Sequence, residues 1–123
     1  MSISQNRIFC FNHGSECRVF DFITKENLKV HPLPDISHHN NAQFLNLYYD
    51  TKDKYPLLLL SRGDYPRSHN EVYVVRVFES DGEISFKVIK TIHNTLNEAM
   101  YNGSWVVDQD QNKLFLYTMS IGD

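Results

Sequence analysis

The sequence predicts an all-β chain, and three observations predict it. Apolar residues fall in short runs rich in Val, Ile, Phe, Tyr and Leu, alternating with period two, as in RIFCF, CRVFDF and VYVVRVF. Clusters of turn-forming residues such as NHGSE, TKEN and ESDGE separate these runs at short intervals. A helical pattern is confined to Leu96–Tyr101, too short to change the class.

Taken in order, Arg7 to Asn12 and Cys17 to Thr24 read as the two arms of a hairpin around NHGSE. A tight turn at His13-Gly14 would set Cys10 opposite Cys17 at a hydrogen-bonded position. Side chains stand further apart there than disulfide geometry wants, so free thiols are expected. Thr24 to Asn27 is a second turn, and Leu28 to Leu33 a short strand that Pro32 and Pro34 demote to an edge or an end. After the loop PDISHHNN, Ala42 to Tyr49 is a strand and DTKDKY a charged turn. Leu57 to Leu60 is short and apolar on both faces, as a buried strand is. The loop SRGDYPRSHNE leads to the strand Val72 to Phe78, the turn SDGE and the strand Ile84 to Ile92. Past the loop 93–102, Ser104 to Val107 and Leu114 to Met119 are strands flanking DQDQNK.

These pieces repeat. AQFLNLYYDTKDKYPLLLLSRGD answers GSWVVDQDQNKLFLYTMSIGD: Phe44 matches Trp105, and Ser61 to Asp64 match Ser120 to Asp123. RIFCFNHG with CRVFDF plays the part of LLLLSRGD with VYVVRVF. A unit of four short strands recurring at somewhat over fifty residues belongs to radial repeats. In this pattern the chain resembles the bacterial β-propeller proteins with degenerate blades. The resemblance implies one all-β region over 1–123, with a partial blade over 7–34 (strands two to four), a complete blade over 42–93 and a partial blade over 103–123 (strands one and two). A closed propeller needs at least four blades. The expectation is therefore a fragment of a longer protein, or closure by self-association through unpaired blade edges. The rival architecture is a small β-sandwich.

Composition narrows the function classes. The 123 residues carry 12 basic and 15 acidic side chains, a net charge of −3, and the Lys and Arg are scattered rather than gathered into a stripe. Nucleic acid is therefore not an expected partner. The longest uninterrupted Leu run, Leu57–Leu60, is far too short to span a membrane, and MSISQNRIFCF lacks the basic start and apolar segment of a secretory signal. A longer parent is still compatible with export. Two cysteines are too few for a thiolate zinc site.

In a propeller, loops joining strands two to three and four to one share a face. That face would gather His13, His38, His39, Arg62, Asp64, Arg67, His69 and His93 as the candidate ligand-binding residues; of the six histidines only His31, inside a strand, is excluded. Turn chemistry alone also favours Asn, Asp and Ser in loops, and an imperfectly copied repeat would copy a loop histidine. The opposite face, with TKEN, DTKDKY, ESDGE and DQDQNK, reads as solvated turns. The adjacent pair His38-His39 is poorly disposed to aim at one metal ion, and no cofactor or metal motif is present. Asp108-x-Asp110-x-Asn112 opens like a calcium loop, but Lys113 stands where its glycine belongs and Met119 where its glutamate belongs. No G-x-S-x-G elbow occurs. A glycosidase pair would have to come from Asp35, Asp64, Glu71, Glu98 or Asp123, and nothing in the sequence pairs them.

The functional expectation is a binding or interaction module, its ligand a protein or a carbohydrate, rather than an enzyme. The competing readings are a piece of a propeller enzyme acting on glycans as hydrolase or lyase, and a purely structural scaffold.

Overall fold

The computed structural model describes residues 2–12, 16–28, 33, 39–62, 71–93, 100–108 and 110–120. Among them every regular element is a β-strand. There are ten: β1 (Ser2–Ser4), β2 (Arg7–Phe11), β3 (Cys17–Asp21), β4 (Asn27–Leu28), β5 (His39–Phe44), β6 (Leu58–Arg62), β7 (Glu71–Ser80), β8 (Glu83–His93), β9 (Met100–Asp108) and β10 (Lys113–Ser120). They form two four-stranded sheets, β1-β2-β3-β4 and β5-β6-β7-β8, and the hairpin β9-β10, with every pairing antiparallel.

Turn chemistry sets the short connections. Gln5 and Asn6 join β1 to β2 with φ of 52° and 60°, and Asp81 and Gly82 join β7 to β8 with φ of 51° and 78°. Positive φ at both central residues is the geometry that matches the right-handed twist of a hairpin. β1 precedes the first strand expected from the sequence, because SIS alone has too little apolar content to signal one. Asp21 closes the β3–β4 turn by accepting from the amides of Ile23 and Thr24, each at 2.9 Å.

The loop after β2 differs from the tight turn expected. Asn12 and Glu16 close it, with the Asn12 amide donating to the Glu16 carbonyl at 3.1 Å and the Glu16 amide to Asn12 Oδ1 at 3.2 Å. The register slides by one, so Cys17 faces Phe11 and Cys10 faces Arg18. Cys17 lies in the core on the side of Phe11, and Cys10 points to the other face of the sheet. Both are free thiols.

β5 also departs from expectation, ending at Phe44 rather than Tyr49. Two further backbone bonds, Leu45 to Leu57 at 2.8 Å and Leu57 to Leu47 at 2.7 Å, extend the contact. Pro56 has no amide to continue the ladder. Met100 and Tyr101, at the end of the one helical pattern, belong to β9; residues 94–99 lie outside the described set.

The first two sheets pack face to face. Phe9 and Val19 from one meet Leu58, Leu60, Val75, Val77 and Ile84 from the other, all essentially removed from water. Each such side chain contributes about 1.5–3 kcal/mol by leaving water. Phe9 makes T-shaped contacts with the rings of Phe44 and Tyr55, with centroids at 5.0 and 5.5 Å. The second sheet is apolar on its other face as well. There Leu59 and Val72 form a second cluster with Leu45, Val74, Ile92 and, from β9, Val107. A bulge makes this possible: Val75 pairs with Val88 but Val74 with Lys90, leaving Ile89 as an extra residue. Before the bulge Ile84, Phe86 and Val88 face the first core; after it the parity reverses and Ile92 faces the second.

Candidate binding surface at the strand ends

Register brings four chemistry-bearing residues to one end of the second sheet. His39 pairs with Arg62 across β5 and β6, and Glu71 pairs with His93 across β7 and β8. Ser61 pairs with Val72, so Arg62 and Glu71 are the next positions on neighbouring strands. His39, Arg62, Glu71 and His93 thus close four consecutive strands in a row.

Three local devices hold this row. A bulge lies between His39 and Ala42, which pair with Arg62 and Leu60. The amide of Asn41, displaced from the ladder there, donates to Ser61 Oγ at 3.0 Å. Ser61 is fully buried, and this bond explains a polar side chain in an apolar strand. Glu71 accepts a short hydrogen bond from the Tyr73 hydroxyl, and its other oxygen lies 3.4 Å from His93 Nδ1. The carboxylate is mostly shielded, while the imidazole is more than half exposed. A fixed carboxylate therefore presents an accessible imidazole.

Of the residues expected at this face, His39, Arg62 and His93 are brought together by the register. His13, His38, Asp64, Arg67 and His69 lie outside the described residues. Glu71 is the member that sequence reasoning left unpaired. Counting outward from the Asp81-Gly82 turn sets Glu71 opposite Ile92, and only the bulge at Ile89 moves it onto His93. Among the described residues no group of three or more His, Cys, Asp or Glu side chains is disposed to hold a metal ion.

At the opposite end the turns TKEN and SDGE and the described part of DQDQNK are largely exposed, as expected, and the departure is confined to the end of DTKDKY. Tyr55 and Pro56 are buried, and Tyr55 keeps 1% of its surface. Glu79 Oε2 accepts from Arg7 Nη1 at 2.5 Å, from the Tyr55 hydroxyl at 2.6 Å and from Lys54 Nζ at 2.9 Å. Arg7 also donates to the Tyr55 oxygen at 2.9 Å, so it ties β2 of one sheet both to β7, through Glu79, and to the β5–β6 loop of the other. Burial pushes the Glu79 carboxyl up, but the three donors outweigh it and hold it at about 2. Burial, joined by Glu79, raises the Tyr55 phenol. Beside this network Arg76 grips Asp53 with two bonds, of 2.8 and 2.5 Å, and lies 4.5 Å from the ring centroids of both Tyr49 and Phe78. The sequence hid these contacts because the partners are far apart along the chain.

The chain matches no family model, no curated protein and no solved structure. No helix among the described residues is long and apolar enough to cross a membrane.

Proposed function

We propose that this chain is a binding module of the β-propeller type, with its ligand surface at the strand ends closed by His39, Arg62, Glu71 and His93. The observation that carries the reading is the register, which lines up a guanidinium-bearing, a carboxylate-bearing and two imidazole-bearing residues on four adjacent strands. Rigid strands are better supports for such a constellation than loops. The propeller reading is supported by the second sheet, which buries apolar side chains on both faces against consecutive partners in chain order. A two-sheet sandwich would leave that second face to water. An arginine and an accessible histidine suit a ligand with an anionic or strongly accepting group, and Glu71 supports the histidine from behind.

The test is an array of immobilised peptides and glycans probed with the labelled chain, repeated with Arg62→Ala and His93→Ala. Spots that bind the wild-type chain and lose it in both variants are the expected result. Binding indifferent to both substitutions, or no binding at all, would leave the scaffold reading in its place. Turnover of a bound glycan, lost in the same variants, would instead favour the enzyme reading.

A further inference from the structure

We infer that the cleft at the opposite end of the sheets is a second binding site, and that its ligand is a neutral saccharide. The cleft measures about 520 Å³ and is lined by Gln5, Tyr48, Thr51, Asp53 and Lys54. It opens between the β1–β2 turn and the β5–β6 loop, so both sheets contribute to it. Its size falls within the range of small-molecule sites.

The lining divides into two sets. Asp53 is held by both bonds from Arg76, and Lys54 is engaged with Glu79. Each charged side chain at the cleft thus already has an oppositely charged partner within hydrogen-bonding distance. Gln5, Tyr48 and Thr51 have no side-chain hydrogen bond among the described residues. They offer an amide and two hydroxyls, all neutral, and each able both to donate and to accept. Tyr48 is 48% exposed, so the cleft includes a substantial accessible part of the aromatic side chain. A pyranose matches this combination: its C–H faces pack on an aromatic ring, and its hydroxyls radiate towards neutral donors and acceptors.

The backbone frame is braced. Gln5 sits in the left-handed turn with φ of 52°, and the Asn6 carbonyl accepts from the Phe22 amide at 2.7 Å. Asp50 braces the loop by accepting from the Lys52 amide at 2.9 Å, while Asp53 Oδ2 accepts from the Asp50 amide at 3.3 Å. The backbone that carries the lining residues is therefore braced before any ligand arrives, which limits the part of the ordering cost that falls on the main chain.

The experiment is a calorimetric titration of the full chain with three neutral tetrasaccharides (maltotetraose, cellotetraose and chitotetraose), with inorganic phosphate as the charged probe. At least one tetrasaccharide is expected to bind, and phosphate is not. Tyr48→Ala should weaken that binding about tenfold or more, and Gln5→Ala and Thr51→Ala each several-fold, as loss of one stacking or hydrogen-bonding partner does. Lys90→Ala, an exposed position outside the cleft, should leave it unchanged. Tyr48 and Thr51 are exposed, so their truncation spares the core, and the circular dichroism of each variant checks that. Absence of binding by all three sugars up to about 10 mM would overturn the assignment. So would binding unaffected by Tyr48→Ala, or phosphate binding in place of the sugars.

Discussion

The Tyr55 hydroxyl, on an almost completely buried ring, donates to Glu79 Oε2 at 2.6 Å, and Arg7 bonds to both. This contact joins a loop, a strand of the same sheet and a strand of the neighbouring sheet through one carboxylate oxygen. It is where the two four-stranded sheets are fastened by polar rather than apolar contacts.

Acid should loosen that fastening. The folded-state value for Glu79 is depressed from 4.5 to about 2, so the unfolded chain takes up the proton first as pH falls. The stabilisation is fully present above about pH 4.5 and is lost progressively towards pH 2, and the shift corresponds to about 3 kcal/mol. Urea unfolding followed from pH 6 to pH 2 should show this loss, and Glu79→Gln should lower stability at pH 6 and flatten the profile.

Tyr55→Phe removes one donor to Glu79 but leaves Arg7 and Lys54 in place. The expected cost is about 1 kcal/mol, as for loss of one hydrogen bond to a charged, still-partnered group. Tyr55→Ala also empties a ring-sized volume beside Phe9 and Phe44 and should cost about 3–5 kcal/mol. Equilibrium unfolding of the two variants separates the polar from the packing contribution.

Ser61→Ala should lower stability although it removes a single oxygen. It removes the hydroxyl that accepts from the Asn41 amide at the β5 bulge and empties a fully buried polar site, and loss of such a bond costs about 1 kcal/mol. Amide hydrogen exchange at Asn41 should accelerate with the loss of protection, while exchange in β8 changes only with global stability.

Cysteine labelling gives a simple check on the first sheet. Burial, reinforced by Cys10, pushes the Cys17 thiol up to about 12, so its thiolate is scarce at neutral pH. A thiol reagent should leave Cys17 unmodified in the native chain and label it once the chain is unfolded. Cys10 and Cys17 point to opposite faces, so the mass before labelling should be that of the reduced chain.

The all-β class was legible because alternation in VYVVRVF and the Asp81-Gly82 turn are local signals that packing then obeys. Position along the strands was less so. Ile89 and the Asn40-Asn41 bulge carry no distinctive residue type, yet each shifts a register by one and so decides that Glu71 meets His93 and His39 meets Arg62. The expected strand-end surface was legible as a set of loops, while the pairing within it depends on those bulges. The Arg7–Tyr55–Glu79 network was not legible at all. Tyr55 stands in a charged stretch, DTKDKY, whose composition says surface, and only a partner on another sheet reverses that.

The second sheet is the middle layer of a stack, with apolar side chains packed on both of its faces. The most direct measurement is urea unfolding of Leu59→Lys, at a position that faces the second cluster rather than the first core. A middle layer predicts a loss of about 3 kcal/mol or more, since an unpaired charge would be forced between β6 and β9. A change within about 0.5 kcal/mol would mean that this face looks onto water, and would contradict the stacked arrangement in favour of a two-sheet sandwich.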